Sequence, residues 1–203
     1  MNISIRKLAG LLAAVATLGV ISTAQAQPAN PSGPFAMAGS TQGYVGLNAG
    51  QTDYRLGNGT GLYGSDNRST AYSIAGGAYF TNNIGVEVGY IDFGKVNRAG
   101  GTTRADGFNL SLIGKFPLGE SFNLLGKIGT TYGRTDVSSG VGSGVTGGTD
   151  NGFGLSAGVG AEFLFNPKLS GVLQYEVHDL RFAGGTNDRD RVSLLTVGAR
   201  YRF

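Results

Sequence analysis

The chain has no cysteine, one histidine, five prolines and few charges, which make up 14% of its 203 residues. Each shortage removes a class of protein. Without cysteine there is no disulfide framework and no thiolate site. His178 alone cannot build a zinc cluster, and no glycine-rich loop ending in Gly-Lys-Ser or Gly-Lys-Thr is present to cradle a phosphate. No cofactor is expected. Beyond the N-terminal stretch, no apolar run approaches the length of about 18 residues that a membrane helix needs. Spaced helix caps and a three-four apolar rhythm are also missing, and the 37 glycines disfavour helix interiors without following the every-third spacing of collagen.

What is present begins with "MNISIRKLAGLLAAVATLGVISTAQAQ". Arg6 and Lys7, an apolar run from Leu8 to Ile21, and the small-x-small site Ala24-Gln25-Ala26 read as a signal peptide over residues 1–26, an export mark. Its removal takes two of the positive charges with it, so the formal net charge of +3 says little about partners. Residues 27–40, "QPANPSGPFAMAGS", read as a loose lead-in, and residues 41–203 form one domain.

That domain is patterned at period two. Strands are expected at about Gln42 to Tyr54, Ser69 to Phe80, Ile84 to Phe93, Ala105 to Phe116, Ser121 to Tyr132, Gly152 to Phe165, Leu169 to Phe182 and Arg191 to Phe203. The sixth is the clearest: Phe153, Leu155, Ala157, Val159, Ala161, Phe163 and Phe165 share one parity, opposed by Ser156, Gly158, Gly160 and Glu162. Long polar connections are expected near 55–68, 95–104, 134–151 and 183–190, alternating with the short turns "TNN", "PLGE" and "NPK". Hairpin-joined antiparallel strands then place all long loops at one end and all turns at the other. An even strand number, one-sided loops and segments of about ten alternating residues point to an all-β, eight-stranded antiparallel transmembrane barrel, an up-and-down meander.

A soluble β-barrel would alternate too. Residue size separates the two. The apolar parity carries bulky Phe, Leu, Tyr and Val in nearly every strand, more volume than a small closed barrel accepts inside. The polar parity is rich in glycine and serine, which leaves room for long charged side chains. Glu87, Lys115, Lys127, Glu162, Glu176 and Arg200 all fall on that polar parity and are expected to form an internal charge network, because an unpaired charge in a dry interior is very costly.

The segments "YSIAGGAYFTNNIGVEVGY" and "NLSLIGKFPLGESFNLLGKIG", with the closing "VGARYRF", resemble the OmpA-like transmembrane barrels of Gram-negative outer membranes. The resemblance implies a monomer in the cell outer membrane with its long loops extracellular, in contact with outer membrane lipid and lipopolysaccharide. It also implies delivery by the barrel assembly machinery, for which Gly198, Tyr201 and Phe203 match the terminal assembly signal. Major members continue into a peptidoglycan-binding domain, but this sequence stops at Phe203, so peptidoglycan binding is not expected.

Some related small barrels modify lipid A with a serine, a histidine and an acid. His178 has Glu176 and Asp179 beside it, but the position two residues on, where the deacylase type keeps its serine, is Leu180. No catalytic residues are therefore assigned, and no enzyme activity is expected. The loop acids Asp53, Asp66, Asp136, Asp150, Asp188 and Asp190 are interleaved with Arg55, Arg68, Arg134, Arg189 and Arg191. Such mixed signs argue against nucleic acid as a partner. The expected function is a structural outer membrane protein supporting envelope integrity and surface contact; a narrow monomeric pore, a host-surface or extracellular-matrix adhesin, and a lipid A modifying enzyme are the alternatives.

Overall fold

The computed structural model describes residues 42–54, 67–98, 101–138, 147–181 and 189–203. The segments read as a signal peptide and a lead-in, and the middles of the glycine-rich connections, lie outside the described residues. Eight antiparallel strands pair in sequence order: β1 (Gln42–Tyr54), β2 (Arg68–Tyr79), β3 (Ile84–Arg98), β4 (Gly101–Pro117), β5 (Phe122–Val137), β6 (Gly148–Leu164), β7 (Leu169–Arg181) and β8 (Arg189–Arg202). The first strand pairs with the last, from Tyr44 opposite Arg202 to Tyr54 opposite Val192, and the sheet closes into a barrel. Closure leaves no row of unpaired backbone groups, the condition lipid imposes on any spanning sheet.

The two parities separate cleanly. Leu47, Tyr72, Phe108, Leu110, Ile128, Phe153, Leu155, Val159, Leu173 and Val197 point outward and are exposed, whereas Glu87, Asn109, Ser111, Glu162, Gln174, Glu176 and Arg200 are buried within the lumen. Aromatic pairs mark both ends of the outer band. Tyr90 with Phe108 and Tyr132 with Phe153 lie toward the loop end, and Phe163 with Phe165 at the turn end. From Phe153 to Phe163 along a strand rising about 3.4 Å per residue and tilted about 40°, the apolar height is roughly 25 Å, that of an outer membrane barrel.

The strands run further than expected at the loop end. β3 and β4 stay paired as far as Arg98 opposite Gly101, and β5 and β6 as far as Val137 opposite Gly148, so much of the expected loops at 95–104 and 134–151 is paired strand. Outside the lipid band a strand needs no apolar outer face, and the alternation that marks it in the sequence fades. Its backbone donors and acceptors still gain from the ladder. Inward Val96, Thr103, Thr135 and Val137 remain buried there.

One bulge interrupts the ladder, between Asp92 and Gly94 of β3. Gly94 has φ of 82°, and an added Cβ would run into Ser69 and Thr70 of β2, so both conformation and space require glycine. The bulge is tied down by side chains. Gly94 N donates to Asp92 Oδ1 at 2.9 Å, while the Phe93 carbonyl accepts from Thr52 Oγ1 at 2.7 Å and Tyr54 Oη at 3.1 Å.

Candidate functional site

The lumen holds the only concentration of buried chemistry among the described residues, and glycines on the inward parity make it possible. In register, Lys127 of β5, Gly158 of β6 and Glu176 of β7 form one row across three strands. Because Gly158 has no side chain, Lys127 reaches over it to an ion pair with Glu176. A Cβ there would sit 2.8 Å from Glu176 Cγ. Tyr44, Gly77 and Glu87 form a second such row on β1, β2 and β3, and Tyr44 Oη donates to Glu87 Oε2 at 2.6 Å across the glycine.

These rows meet at Glu87. One of its oxygens accepts from Lys127 Nζ at 2.7 Å; the other accepts from Tyr44 and from Arg200 Nη2 at 3.0 Å. The Arg200 guanidinium lies over the Tyr44 ring, 4.6 Å from its centroid. Glu162 is fully buried and accepts from Asn123 Nδ2 at 2.8 Å and Ser170 Oγ at 2.9 Å, and it forms ion pairs with Arg202 Nη2 at 2.5 Å and Arg200 Nη1 at 3.9 Å. Arg202, absent from the sequence-based set, thus pairs with Glu162. Lys115, which was in that set, makes no ion pair among the described residues. It lies near the turn end with its ammonium 4.7 Å from the centre of the Tyr79 ring. Arg202 shares the parity of Arg200 two residues earlier, the signal that could have placed it inside.

The polar column continues toward the loop end. His178 is 1% exposed, with Nε2 3.4 Å from Glu176 Oε2 and Nδ1 2.8 Å from Thr131 Oγ1. Asn109 Nδ2 donates to Thr131 Oγ1 at 2.9 Å and Ser156 Oγ at 2.8 Å, and Ser111 Oγ donates to Asn109 Oδ1 at 2.6 Å. Ser156 lies directly opposite His178 in the ladder, but its hydroxyl is engaged by Asn109, and all of these groups are buried inside the barrel. Among the described residues no three carboxylate or histidine side chains converge as metal ligands.

Above this column an apolar cluster fills the lumen: Tyr54, Ala71, Ile91, Phe93, Val96, Ala105, Val137, Leu180, Val192 and Leu194. Phe93 sets its ring against His178, at 5.1 Å and edge-on. The sequence reading did not foresee this cap. Its trace is a local loss of alternation, as in "YIDF" and "VSLL", where apolar residues occupy both parities.

Gly198, Tyr201 and Phe203 all lie at the seam with β1. Tyr201 and Phe203 point outward, and Phe203 N donates to the Gly43 carbonyl at 3.1 Å. The Phe203 ring lies where a Cβ on Gly43 would be. Gly198 faces Asn48, whose side chain occupies the space a Cβ would need.

A closed eight-stranded barrel with an apolar outer band and a packed polar lumen defines the small outer membrane β-barrel class. The chain belongs to the outer membrane protein β-barrel domain family, whose model matches residues 12–203, and it is a protein of the Gram-negative outer membrane. Outer membrane protein A of Salmonella typhi is 26% identical over 200 residues, covering 94% of this chain; the match spans only 53% of that relative's length. Among solved structures, Neisserial surface protein A superimposes with a TM-score of 0.59 at 18% identity, over 79% of this chain and 97% of that one. The attachment invasion locus protein Ail of Yersinia pestis, solved with the heparin analogue sucrose octasulfate, gives 0.53 at 18%, over 80% and 99%. At these identities the two structures speak for the fold alone.

Proposed function

We propose that the protein is a monomeric, non-enzymatic structural barrel that supports outer membrane integrity, with its turn end in the periplasm and its hairpins outside. The observation that carries this reading is the lumen, in which Glu87, Glu162 and Glu176 are matched by Lys127, Arg200 and Arg202 beneath an apolar cap. A filled interior built around a charge-balanced network specifies and stabilises a wall, whereas a conduit needs continuous water. His178, the one histidine, lies inside that filled lumen, away from lipid acyl chains, which supports a role without catalysis. Tyr201, Phe203 and Gly198 are proposed to serve as the recognition signal for the barrel assembly machinery. Recording the purified barrel in planar bilayers tests the reading: a silent trace is expected, and stable, reproducible unitary openings from monomer would establish a pore instead.

Surface contact is a second reading, supported by the paired extensions of β3–β4 and β5–β6 beyond the aromatic band. Arg68, Arg104, Arg134 and Arg191 stand at this rim, but each faces an acid, Asp53, Asp92, Asp136 and Asp179 respectively. These four paired charges, beside the exposed cations Lys95 and Arg181, fit contact with mixed-charge surfaces such as lipopolysaccharide with its counterions. Cells expressing the full barrel or a form trimmed at these hairpins would be compared for binding to host cells and matrix. Equal binding would remove the adhesin reading.

A further inference from the structure

The charge network leaves one lumen cation over. Three acids and three bases are used within it, and Lys115 lies outside, without a carboxylate partner among the described residues. Beneath its ammonium is the ring of Tyr79, a residue only 4% exposed whose hydroxyl has no hydrogen-bond partner. Lys115 and Tyr79 both line a cavity of about 410 Å³ at the turn end, with Gln42 and Asn82 on its wall. Arg202 also lines it, adding positive potential although Glu162 holds its guanidinium. Glu120 is the acid on the wall; it is exposed on the β4–β5 turn, where water screens it.

The Lys115 ammonium is a three-fold donor on this recess with no carboxylate to accept from it, whereas the Tyr79 hydroxyl is enclosed, out of reach of the cavity. The matching guest is a compact group with several acceptor oxygens and negative charge, which forms charge-assisted hydrogen bonds with such a donor. We propose that the turn-end mouth binds a small oxyanion of the phosphate class, held by Lys115 in the positive potential of Arg202. The cavity is much larger than a bare phosphate, so a phosphate carrying a substituent is accommodated as well. Both a soluble phosphate and the headgroup of a phospholipid in the adjoining leaflet have this chemistry. The inference goes beyond the structural role proposed above and does not depend on it.

The test uses the folded barrel in an alkyl maltoside, a detergent without phosphate, and follows Lys115 and the side-chain amides of Gln42 and Asn82 by NMR. Inorganic phosphate is titrated at constant ionic strength against sodium chloride; in a second arm the micelles are doped with phosphatidylglycerol. Saturable shifts confined to the turn end are expected, with K115M weakening the response at least about tenfold, as loss of a charge-assisted bond implies. Tyr79→Phe, which removes only the enclosed hydroxyl, leaves the response unchanged. A response to phosphate identifies a soluble ligand, and a response to the doped lipid alone identifies the headgroup. Chloride acting as strongly as phosphate, K115M titrating like the parent, or no response in either arm overturns the proposal. Heat-modifiable gel migration confirms that both variants are folded.

Discussion

At the scale of single residues, the lumen depends as much on missing side chains as on those present. Gly158 and Gly77 each lie between two interacting partners, and each allows a contact to cross a strand that any larger residue would obstruct. Lys127 is the most exposed to loss of balance, because it serves Glu87 and Glu176 together. Removing it leaves two buried carboxylates short of a counter-charge, an effect of about 3 to 5 kcal/mol for a fully buried pair. Arg191 makes the opposite case. It is 68% exposed and 3.6 Å from Asp179, an arrangement worth about 0 to 1 kcal/mol. Lys127→Met is thus expected to lower the urea midpoint in lipid vesicles far more than Arg191→Met. Equal midpoints for the two variants would mean that the interior is wet enough to solvate the orphaned acids.

At the scale of elements, the sequence conveys parity well and register poorly. Period-two alternation located all eight strands, because lipid on one side and a narrow lumen on the other force opposite chemistry onto neighbouring residues. The ends of β3 to β6 escaped it because water bathes them, and the constraint that writes the pattern is gone. Charge partners were illegible for another reason: shear displaces residues of equal count along the barrel, so Arg202 meets Glu162 while Lys115 does not. The last strand combines both kinds of information. Phe203 still donates its backbone N–H to β1 and covers Gly43, whereas Phe163 is a comparable outward aromatic at the turn end, packed on Phe165. If the terminal aromatic is also an assembly signal, Phe203→Ala should reduce the heat-modifiable, folded fraction in membranes more than Phe163→Ala. Equal losses would leave lipid packing as the whole of its role.

At the scale of the molecule, two different layers fill the lumen in series, a charge network toward the turn end and an apolar cap toward the loop end. They fail in different ways. Charges can be hydrated and rearranged, but an apolar constriction blocks ions by excluding water altogether. The cap is therefore expected to be the stricter barrier. Leu180 and Leu194 are each 1% exposed and lie in it from neighbouring strands, β7 and β8. Replacing both with serine removes apolar volume and adds two hydroxyls, so water should enter from the loop end as far as His178. The cost is a weaker barrel, by about 2 to 5 kcal/mol for each large-to-small change, which a lower urea midpoint would register. Planar bilayer recordings of the refolded double variant should then show conductance that the parent lacks. A double variant that folds, loses stability and stays silent would place the barrier in the Glu87, Lys127 and Arg200 cluster below, making the cap a contributor to stability alone.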